Sequence, residues 1–406
     1  MHKTVWTVTM SPLLFSHFTA MSCIGAGLGQ TLDALCSQRG GLAACQFEGI
    51  DLDTWIGEVR DVDEVRIRHD LREFDCRNNR LAQMGLAQDG LAEAVEQTAA
   101  RFGRSRIGVF LGTSTTGILQ TEQAYRRRDP VSGVLPADFV YHGTHNPFSV
   151  ADFTRRYFRL TGPAVAASSA CSSSAKVFGS ARRMIEAGLI DAALVGGIDS
   201  LCMTTLYGFN SLELLSSQPC RPFDAERDGI SIGEAAALGL LTRPQDDLDS
   251  DAILLLGVGE SSDAYHMSSP HPEGLGARLA MQAALDSASL VPRDIDYINL
   301  HGTATISNDA AEGRAVAALF GAETPCSSTK GATGHALGAA GGIEAVICAL
   351  ALQQGLLPGS VNTRRADPGL ALDYLLVNRR QPISRVLSNS FGFGGSNCCL
   401  AFGRAN

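Results

Sequence analysis

Short apolar runs alternate with amphipathic stretches along most of this chain. Uninterrupted runs of apolar and small residues predict buried strands, and they lie at 107–112, 164–167, 192–199, 235–241, 253–258 and 295–300. Helices are predicted where apolar residues recur at spacings of three and four, at 84–102, 149–159, from 172 onward, at 274–289 and at 336–350. This alternation of strands and helices predicts an α/β fold.

The order of strands and helices restarts in the second part of the chain. The segment 242–251 contains Pro244 and several Asp residues, which is typical of a boundary between units. We therefore predict two similar βα halves with mixed sheets, residues 1–245 and 251–406.

Composition narrows the class of protein. The 406 residues are 45% hydrophobic and 18% charged, so the chain can bury a large core, and its net charge of −9 gives no reason to expect nucleic acid as a partner. The eleven cysteines are odd in number and contain no C-x-x-C pair, which favours reduced thiols in the cytoplasm and no metal site. No apolar segment reaches the roughly 18 residues of a membrane span. We expect a soluble protein whose residues 1–15 form a first strand and turn.

Cys171 is the candidate nucleophile of the first half. It lies in a turn of small residues between the strand at 164–167 and a helix predicted to begin near Ser172. The positive end of a helix dipole and its free N–H groups favour thiolate, so we expect a pKa well below about 8.5. A buried, inert cysteine is the alternative.

Three polar loops of the second half can supply partners for this thiol. His301 follows the strand at 295–300, and His335 ends the segment 327–335. A glycine-rich loop is predicted at 388–397, between two strands. Because α/β folds collect chemistry at strand ends, we expect these loops to meet Cys171.

Together these segments resemble the β-ketoacyl-acyl-carrier-protein synthases of the thiolase superfamily. The motifs that carry the resemblance are Ala-Cys-Ser-Ser-Ser at 170–174, Arg-Pro-Phe-Asp and Arg-Asp-Gly within 221–229, Ser-Asp-Ala-Tyr-His-Met at 262–267, His-Gly-Thr-x-Thr at 301–305, Thr-Lys-x-x-x-Gly-His at 329–335 and Asn-Ser-Phe-Gly-Phe-Gly-Gly at 389–395. The two-histidine pattern is similar to that of the elongating synthases. The resemblance implies a thiolase fold, in which two similar halves form a five-layer αβαβα arrangement.

The resemblance also implies a role for each matching residue. Cys171 would carry the acyl group, and His301 and His335 would assist decarboxylation of malonyl-acyl carrier protein and stabilise the resulting enolate. Lys330 would orient the histidines and pair with Glu312, while the backbone N–H groups of Cys171 and Phe393 would form an oxyanion hole, with Phe393 as a gate. The predicted substrate-binding residues are Thr303, Thr305, Gly392, Gly394, Ser268 and Ser269. No metal or cofactor is expected, since the phosphopantetheine arm arrives on the carrier protein.

The predicted partners are an acyl carrier protein and a second synthase-like chain. Carrier proteins are acidic, so docking is expected on two groups of arginines, which are otherwise solvated surface: Arg66, Arg68 and Arg72 in one loop, and Arg126, Arg127 and Arg128 in another. The family's dimers imply a homodimer or heterodimer across the strand 192–199. No nucleic acid or membrane partner is expected.

Two alternative functions stay open at this point. A non-catalytic subunit that sets chain length would typically lack the cysteine, and a CoA-dependent thiolase would use a second cysteine near the last glycine loop, where Cys398 and Cys399 occur. The segment 121–144 follows the family poorly, so acyl-chain length is left open. Either fatty-acid synthesis or a specialised polyketide or aryl-polyene route fits these motifs.

Overall fold

The computed structural model describes residues 11–405; the first ten residues of the predicted first strand lie outside that range. The helices are α1 (Gly27–Cys36), α2 (Arg77–Leu86), α3 (Leu91–Phe102), α4 (Ile118–Arg126), α5 (Ser149–Tyr157), α6 (Ser173–Glu186), α7 (Met203–Ser211), α8 (Leu275–Ala288), α9 (Ile306–Phe320), α10 (Lys330–Thr333) and α11 (Ala340–Gln354). The strands are β1 (Leu13–Ser22), β2 (Gly25–Ala26), β3 (Ala43–Ala44), β4 (Trp55–Gly57), β5 (Ile107–Gly112), β6 (Ala164–Ala167), β7 (Ala192–Asp199), β8 (Ile232–Gly233), β9 (Ala235–Thr242), β10 (Ile253–Ser262), β11 (Tyr297–Asn299), β12 (Pro325–Ser327), β13 (Leu356–Leu357), β14 (Asp373–Tyr374), β15 (Arg379–Arg380), β16 (Arg385–Gly392) and β17 (Ser396–Arg404).

Most strands belong to one hydrogen-bonded path, in the order β14-β12-β11-β16-β17-β10-β1-β9-β7-β5-β6. Strands β5, β6 and β7 are parallel to one another, whereas β9 runs antiparallel to β7. The second half repeats this mixture, since β11, β12 and β16 are parallel and β17 is antiparallel to β16. The halves are joined where Leu13–Phe15 of β1 pair with residues 253–255 of β10.

The two halves stack into alternating layers of helices and strands. The strands of each half form one layer. Helices α2, α3 and α5 cover the outer face of the first half's strands, and α8 and α9 cover the outer face of the second half's strands. Helices α6 and α11 lie between the two layers of strands and contact both. The mixed α/β architecture and its five layers agree with the prediction.

Helix α11 forms the centre of this arrangement. Its sequence is apolar on every side, which is typical of a helix enclosed by protein, and its residues 340–352 are all buried. Contrary to the expectation that no segment reaches the length of a membrane span, the stretch Leu337–Gln354 is long and apolar enough among the described residues, but 89% of it is buried inside the fold. This burial is what a core helix requires.

Two predictions of local structure are wrong. The helix predicted at 84–102 is two helices, because the chain turns at Asp89 and Gly90, whose φ values are 51° and 74°. The Asp89 carboxylate fixes this turn by accepting hydrogen bonds from the Thr19 hydroxyl and the Leu28 N–H. The second error is the dimer strand: β7 lies between β5 and β9, so both of its edges are already paired. In the described part of this half, β6 is the strand at the edge of the path.

Candidate active site

Cys171, the predicted nucleophile, lies where the chain turns sharply from β6 into α6. Ala170 has a φ of 53°, a left-handed conformation that few non-glycine residues adopt. The Ser173 hydroxyl stabilises the turn, since it accepts a hydrogen bond from the Ser169 N–H and donates one to the Ala170 carbonyl. Cys171 therefore lies just ahead of the first turn of α6, and it is buried.

The Cys171 sulfur faces His335 and two backbone donors. His335 Nε2 lies 3.0 Å from Cys171 Sγ. Burial raises the pKa of Cys171 to about 11, although the charge of Lys330 and the backbone N–H groups of Phe393 and Cys171 act in the opposite direction. The predicted low pKa is therefore wrong, because desolvation of the thiolate outweighs the helix terminus.

The two histidines are neutral. Burial, followed by the positive charge of Lys330, lowers the pKa of both His301 and His335 well below the usual range. Their ring centroids are 5.3 Å apart and their planes nearly perpendicular. The backbone of His335 is fixed by hydrogen bonds to the Ser231 carbonyl and from the Gly233 N–H.

Lys330 orients His301 by hydrogen bonding. Its ammonium group donates to the His301 carbonyl, to His301 Nδ1 at 3.4 Å and to the Glu344 carboxylate. An ammonium group has no acceptor, so His301 Nδ1 must be unprotonated and the ring proton must reside on Nε2. Since a buried N–H without a partner is rarer than an unpaired acceptor, and His335 Nδ1 has no partner among the described residues, the proton of His335 also belongs on Nε2.

The predicted pairing of Glu312 with Lys330 is wrong. Lys330 forms its ion pair with Glu344, and both side chains are 2% exposed. Glu312 instead accepts hydrogen bonds from the backbone N–H groups of His301 and Gly302, each at 2.8 Å, and from Asn389 Nδ2 at 3.0 Å. Burial raises the pKa of Glu312 to about 7. Glu312 thus holds the loop that carries His301, rather than the lysine.

Sequence reasoning missed Glu344 and Asn389. A signal for Glu344 was present, because it is a charged residue in the middle of the apolar helix α11, and a charge in such a place requires a buried partner.

A narrow cavity of about 50 Å³ opens onto the predicted catalytic residues. Its lining includes Cys171, His301 and His335, and the predicted substrate-binding residues Thr303, Thr305, Ser268, Ser269 and Gly392. Phe393 also lines it and packs on Phe209 of α7, with 5.6 Å between ring centroids. Gly394 is the exception, since it lies in the exposed turn beside this lining.

Gly392 lies against the nucleophile. A Cβ atom at this position would be 3.0 Å from the Ser169 carbonyl and 3.2 Å from the Cys171 nitrogen. Gly394 and Gly395 have φ values of 77° and 70°, which favour glycine. The small residues therefore allow the Phe393 turn to approach Cys171 closely.

The absence of a metal stays a prediction. The ligand atoms of Cys171, His301 and His335 lie within 4.8 Å of one another, and these are residue types that bind Zn²⁺. The ammonium group of Lys330 beside His301 opposes a bound cation.

The predicted docking arginines differ in their availability. Arg66, Arg126 and Arg128 are exposed. Arg68 already binds Asp70 and the Tyr157 carbonyl, and Arg127 binds Asp138.

Family models of the β-ketoacyl synthase N-terminal and C-terminal domains match residues 67–247 and 253–364. The chain is 31% identical to 3-oxoacyl-[acyl-carrier-protein] synthase 2 of Coxiella burnetii over 95% of this chain and 96% of that protein. It is 34% identical to nodulation protein E of Rhizobium leguminosarum bv. trifolii over 79% of each.

Solved structures show the same architecture. A chain of the ketosynthase and chain length factor complex from Xenorhabdus doucetiae is 38% identical, covers 100% of both chains and has a TM-score of 0.87. The ishigamide ketosynthase/chain length factor is 25% identical, with a TM-score of 0.88 over 98% of this chain and 100% of that chain. These likenesses confirm the predicted thiolase fold, and with the matches over both domains they show that this chain belongs to the β-ketoacyl synthase family.

Proposed function

We propose that the protein is a 3-oxoacyl-[acyl-carrier-protein] synthase that joins an acyl group on Cys171 to malonyl-acyl carrier protein. The observation that carries the proposal is the approach of His335 Nε2 to within 3.0 Å of Cys171 Sγ, with His301 lining the same cavity. A nucleophile and two imidazole donors around one reacting atom are the parts that this chemistry requires.

The first step transfers the acyl group. Cys171 attacks the carbonyl carbon of the acyl thioester, a new carbon–sulfur bond forms, and the bond to the carrier's phosphopantetheine sulfur breaks. The proton of the Cys171 thiol ends on the departing thiol. The N–H groups of Cys171 and Phe393, which face this sulfur, stabilise the negative oxygen that develops during the attack.

The second step forms the carbon–carbon bond. The malonyl thioester loses CO₂, and the electron pair of the broken bond stays on the remaining thioester, which becomes an enolate. The enolate oxygen accepts hydrogen bonds from the Nε2–H groups of His301 and His335. The enolate carbon attacks the acyl carbon on Cys171, and the Cys171 thiolate leaves. Neutral imidazoles suit this task because they donate hydrogen bonds without giving up a proton at neutral pH.

The two alternatives fit less well. A chain-length-setting subunit does not need a nucleophile, whereas this chain keeps Cys171 beside His335. A thiolase needs a second cysteine at the reacting carbon, but Cys398 and Cys399 are buried in β17 and neither lines the cavity.

The proposed partners are an acyl carrier protein and a second synthase-like subunit. The exposed Arg66, Arg126 and Arg128 supply positive charge for an acidic carrier protein. The edge of β6 supports pairing with a second chain, and the likeness to the ketosynthase and chain length factor complex favours a heterodimer. We place the protein in the cytoplasm, because its eleven cysteines are unpaired.

We also propose a specialised polyketide or polyene route rather than primary fatty-acid synthesis. The support is the 38% identity over the full chain to a chain of a ketosynthase and chain length factor complex. Purified protein, alone and with a chain length factor, should be given malonyl-acyl carrier protein and acyl carriers of different length and unsaturation. Mass spectra should show 3-oxoacyl products, with most product from unsaturated acyl groups. A preference for saturated acyl groups would contradict the specialised route, and no condensation with any carrier would contradict the function.

A further inference from the structure

A buried carboxylate connects the two catalytic segments. Asp199 ends β7 with none of its surface exposed. Because β5, β6 and β7 are parallel, their carboxyl ends meet at one edge of the sheet. The turn after β5, the nucleophile after β6 and Asp199 itself are therefore neighbours.

Asp199 accepts hydrogen bonds from both halves of the fold. From the turn after β5, its Oδ1 accepts from the Thr113 hydroxyl at 2.8 Å and from the N–H groups of Ser114 and Thr115 at 2.7 and 2.9 Å. Its Oδ2 accepts from the Gly338 N–H at 2.6 Å. Gly338 lies three residues after His335, so this carboxylate bridges the nucleophile side to the histidine side.

The Gly338 contact leaves no spare room. A Cβ atom at Gly338 would lie 2.7 Å from Asp199 Oδ2 and 2.8 Å from the Ser114 nitrogen. Leu337, between His335 and Gly338, has a φ of 49°. A bulky residue in this conformation persists only where its surroundings impose it, and the hydrogen bond from Gly338 to Asp199 acts on the very next residue.

We infer that Asp199 is a positioning residue, which holds the turn after His335 against the first half and so sets the distance between His335 and Cys171. The inference rests on the proposed function for its kinetic consequence, but the distance itself does not depend on that function. Displacement of a catalytic group by about 1 Å can cost on the order of 100-fold in rate.

The variant Asp199→Asn breaks the bridge selectively. Its carbonyl oxygen can still accept from the turn after β5, but its amide N–H₂ faces the Gly338 N–H, and two donors repel. We expect kcat for condensation to fall by about 10- to 100-fold. KM for the carrier substrates should stay within about twofold, because Asp199 does not line the cavity.

A second variant tests the same contact from the other side. Gly338→Ala inserts a methyl group against Asp199 and should lower kcat in the same way. Combined with Asp199→Asn, the losses should be clearly less than multiplicative, since both variants remove one contact.

Two controls separate positioning from stability. Thr113→Val removes a hydroxyl donor to Asp199 Oδ1 but keeps the bond from the Gly338 N–H to Asp199 Oδ2. Asp152→Asn removes another buried carboxylate, which pairs with Arg155 and Arg156 in α5 on the outer layer. Both controls should keep kcat per active Cys171, counted by acylation, near that of the wild type.

Crystal structures of the wild type and Asp199→Asn give the decisive readout. We expect the Cys171 Sγ to His335 Nε2 distance to lengthen by at least about 0.5 Å in the variant. An unchanged distance, or a kcat loss no larger than that of Asp152→Asn at equal stability, would overturn the inference. If the distance lengthens but the wild type performs no condensation, the positioning role stands and the proposed function fails.

Discussion

Removal of Lys330 should destabilise the fold by an amount that depends strongly on pH. Lys330→Met keeps the side-chain volume but leaves Glu344, which is 2% exposed, without its cation. Breaking a buried ion pair costs about 3–5 kcal/mol when the remaining group stays charged. Protonation of Glu344 limits that cost.

The pH dependence follows from the Glu344 carboxyl. Burial already raises its pKa from 4.5 to about 7 in the presence of Lys330, and loss of the cation must raise it further. Protonating a carboxyl of pKa 4.5 costs about 1 kcal/mol at pH 5 and about 5 kcal/mol at pH 8. A group whose pKa is raised on folding favours the folded state at low pH, and this contribution is lost as pH rises. At pH 8 the wild type already bears about 3 kcal/mol of this cost, because its Glu344 pKa is about 7, and at pH 5 the wild type and the variant bear the same cost. We therefore expect the stability lost in Lys330→Met to be about 1–2 kcal/mol larger at pH 8 than at pH 5.

Urea unfolding at both pH values measures this difference. The double variant with Glu344→Gln should regain most of the lost stability at pH 8 without regaining activity, because His301 still lacks its donor. Arg39→Met is the matched control, since Arg39 and Asp33 form an exposed pair that is expected to contribute less than about 1 kcal/mol. Equal losses at pH 5 and pH 8, or a loss under about 1 kcal/mol at pH 8, would refute the reasoning.

Three further predictions concern Cys171, the turn that carries Phe393, and the docking of the carrier protein. Alkylation of Cys171 by iodoacetamide, followed by peptide mass, should rise with pH up to an inflection near 11; an inflection below 8 would contradict the dominance of burial. Gly392→Ala should lower acylation of Cys171 at least about 10-fold, because the new methyl group would contact the backbone of Ser169 and Cys171. Near-normal acylation would show that the turn moves to accommodate the methyl group. Substitution of Arg126 and Arg128 by Glu should raise KM for carrier-bound substrate by up to about 10-fold at low salt. An equal rise in KM for a small thioester would contradict a docking role for these arginines.

The strands around the nucleophile could be predicted because each is an apolar run with clear ends. The runs at 107–112, 164–167 and 192–199 match β5, β6 and β7 residue for residue. The turn that carries Cys171 was predictable for the same reason, since small residues separate β6 from α6. Sequence therefore located the turn that carries the predicted nucleophile.

Interactions between residues that are distant in sequence could not be predicted. Glu312 and Glu344 are both carboxylates near Lys330 in sequence, and only the packing of α11 shows that Glu344 is the partner. The prediction of a low pKa for Cys171 was wrong for a related reason, because a helix terminus is visible in sequence whereas complete burial is not. The break between α2 and α3 depends on Asp89, whose partners Thr19 and Leu28 are distant in sequence.

The proposed function requires that Cys171 carries the acyl group and passes it to the decarboxylated malonyl unit. The most direct test incubates the protein with acyl-carrier substrate, digests it, weighs the Cys171 peptide, and then repeats this after a chase with malonyl-acyl carrier protein. We predict an acyl adduct on Cys171, which disappears in the chase as one CO₂ and one 3-oxoacyl product form per adduct, and no adduct in Cys171→Ala. An adduct on another residue, or condensation that persists in Cys171→Ala, would contradict it.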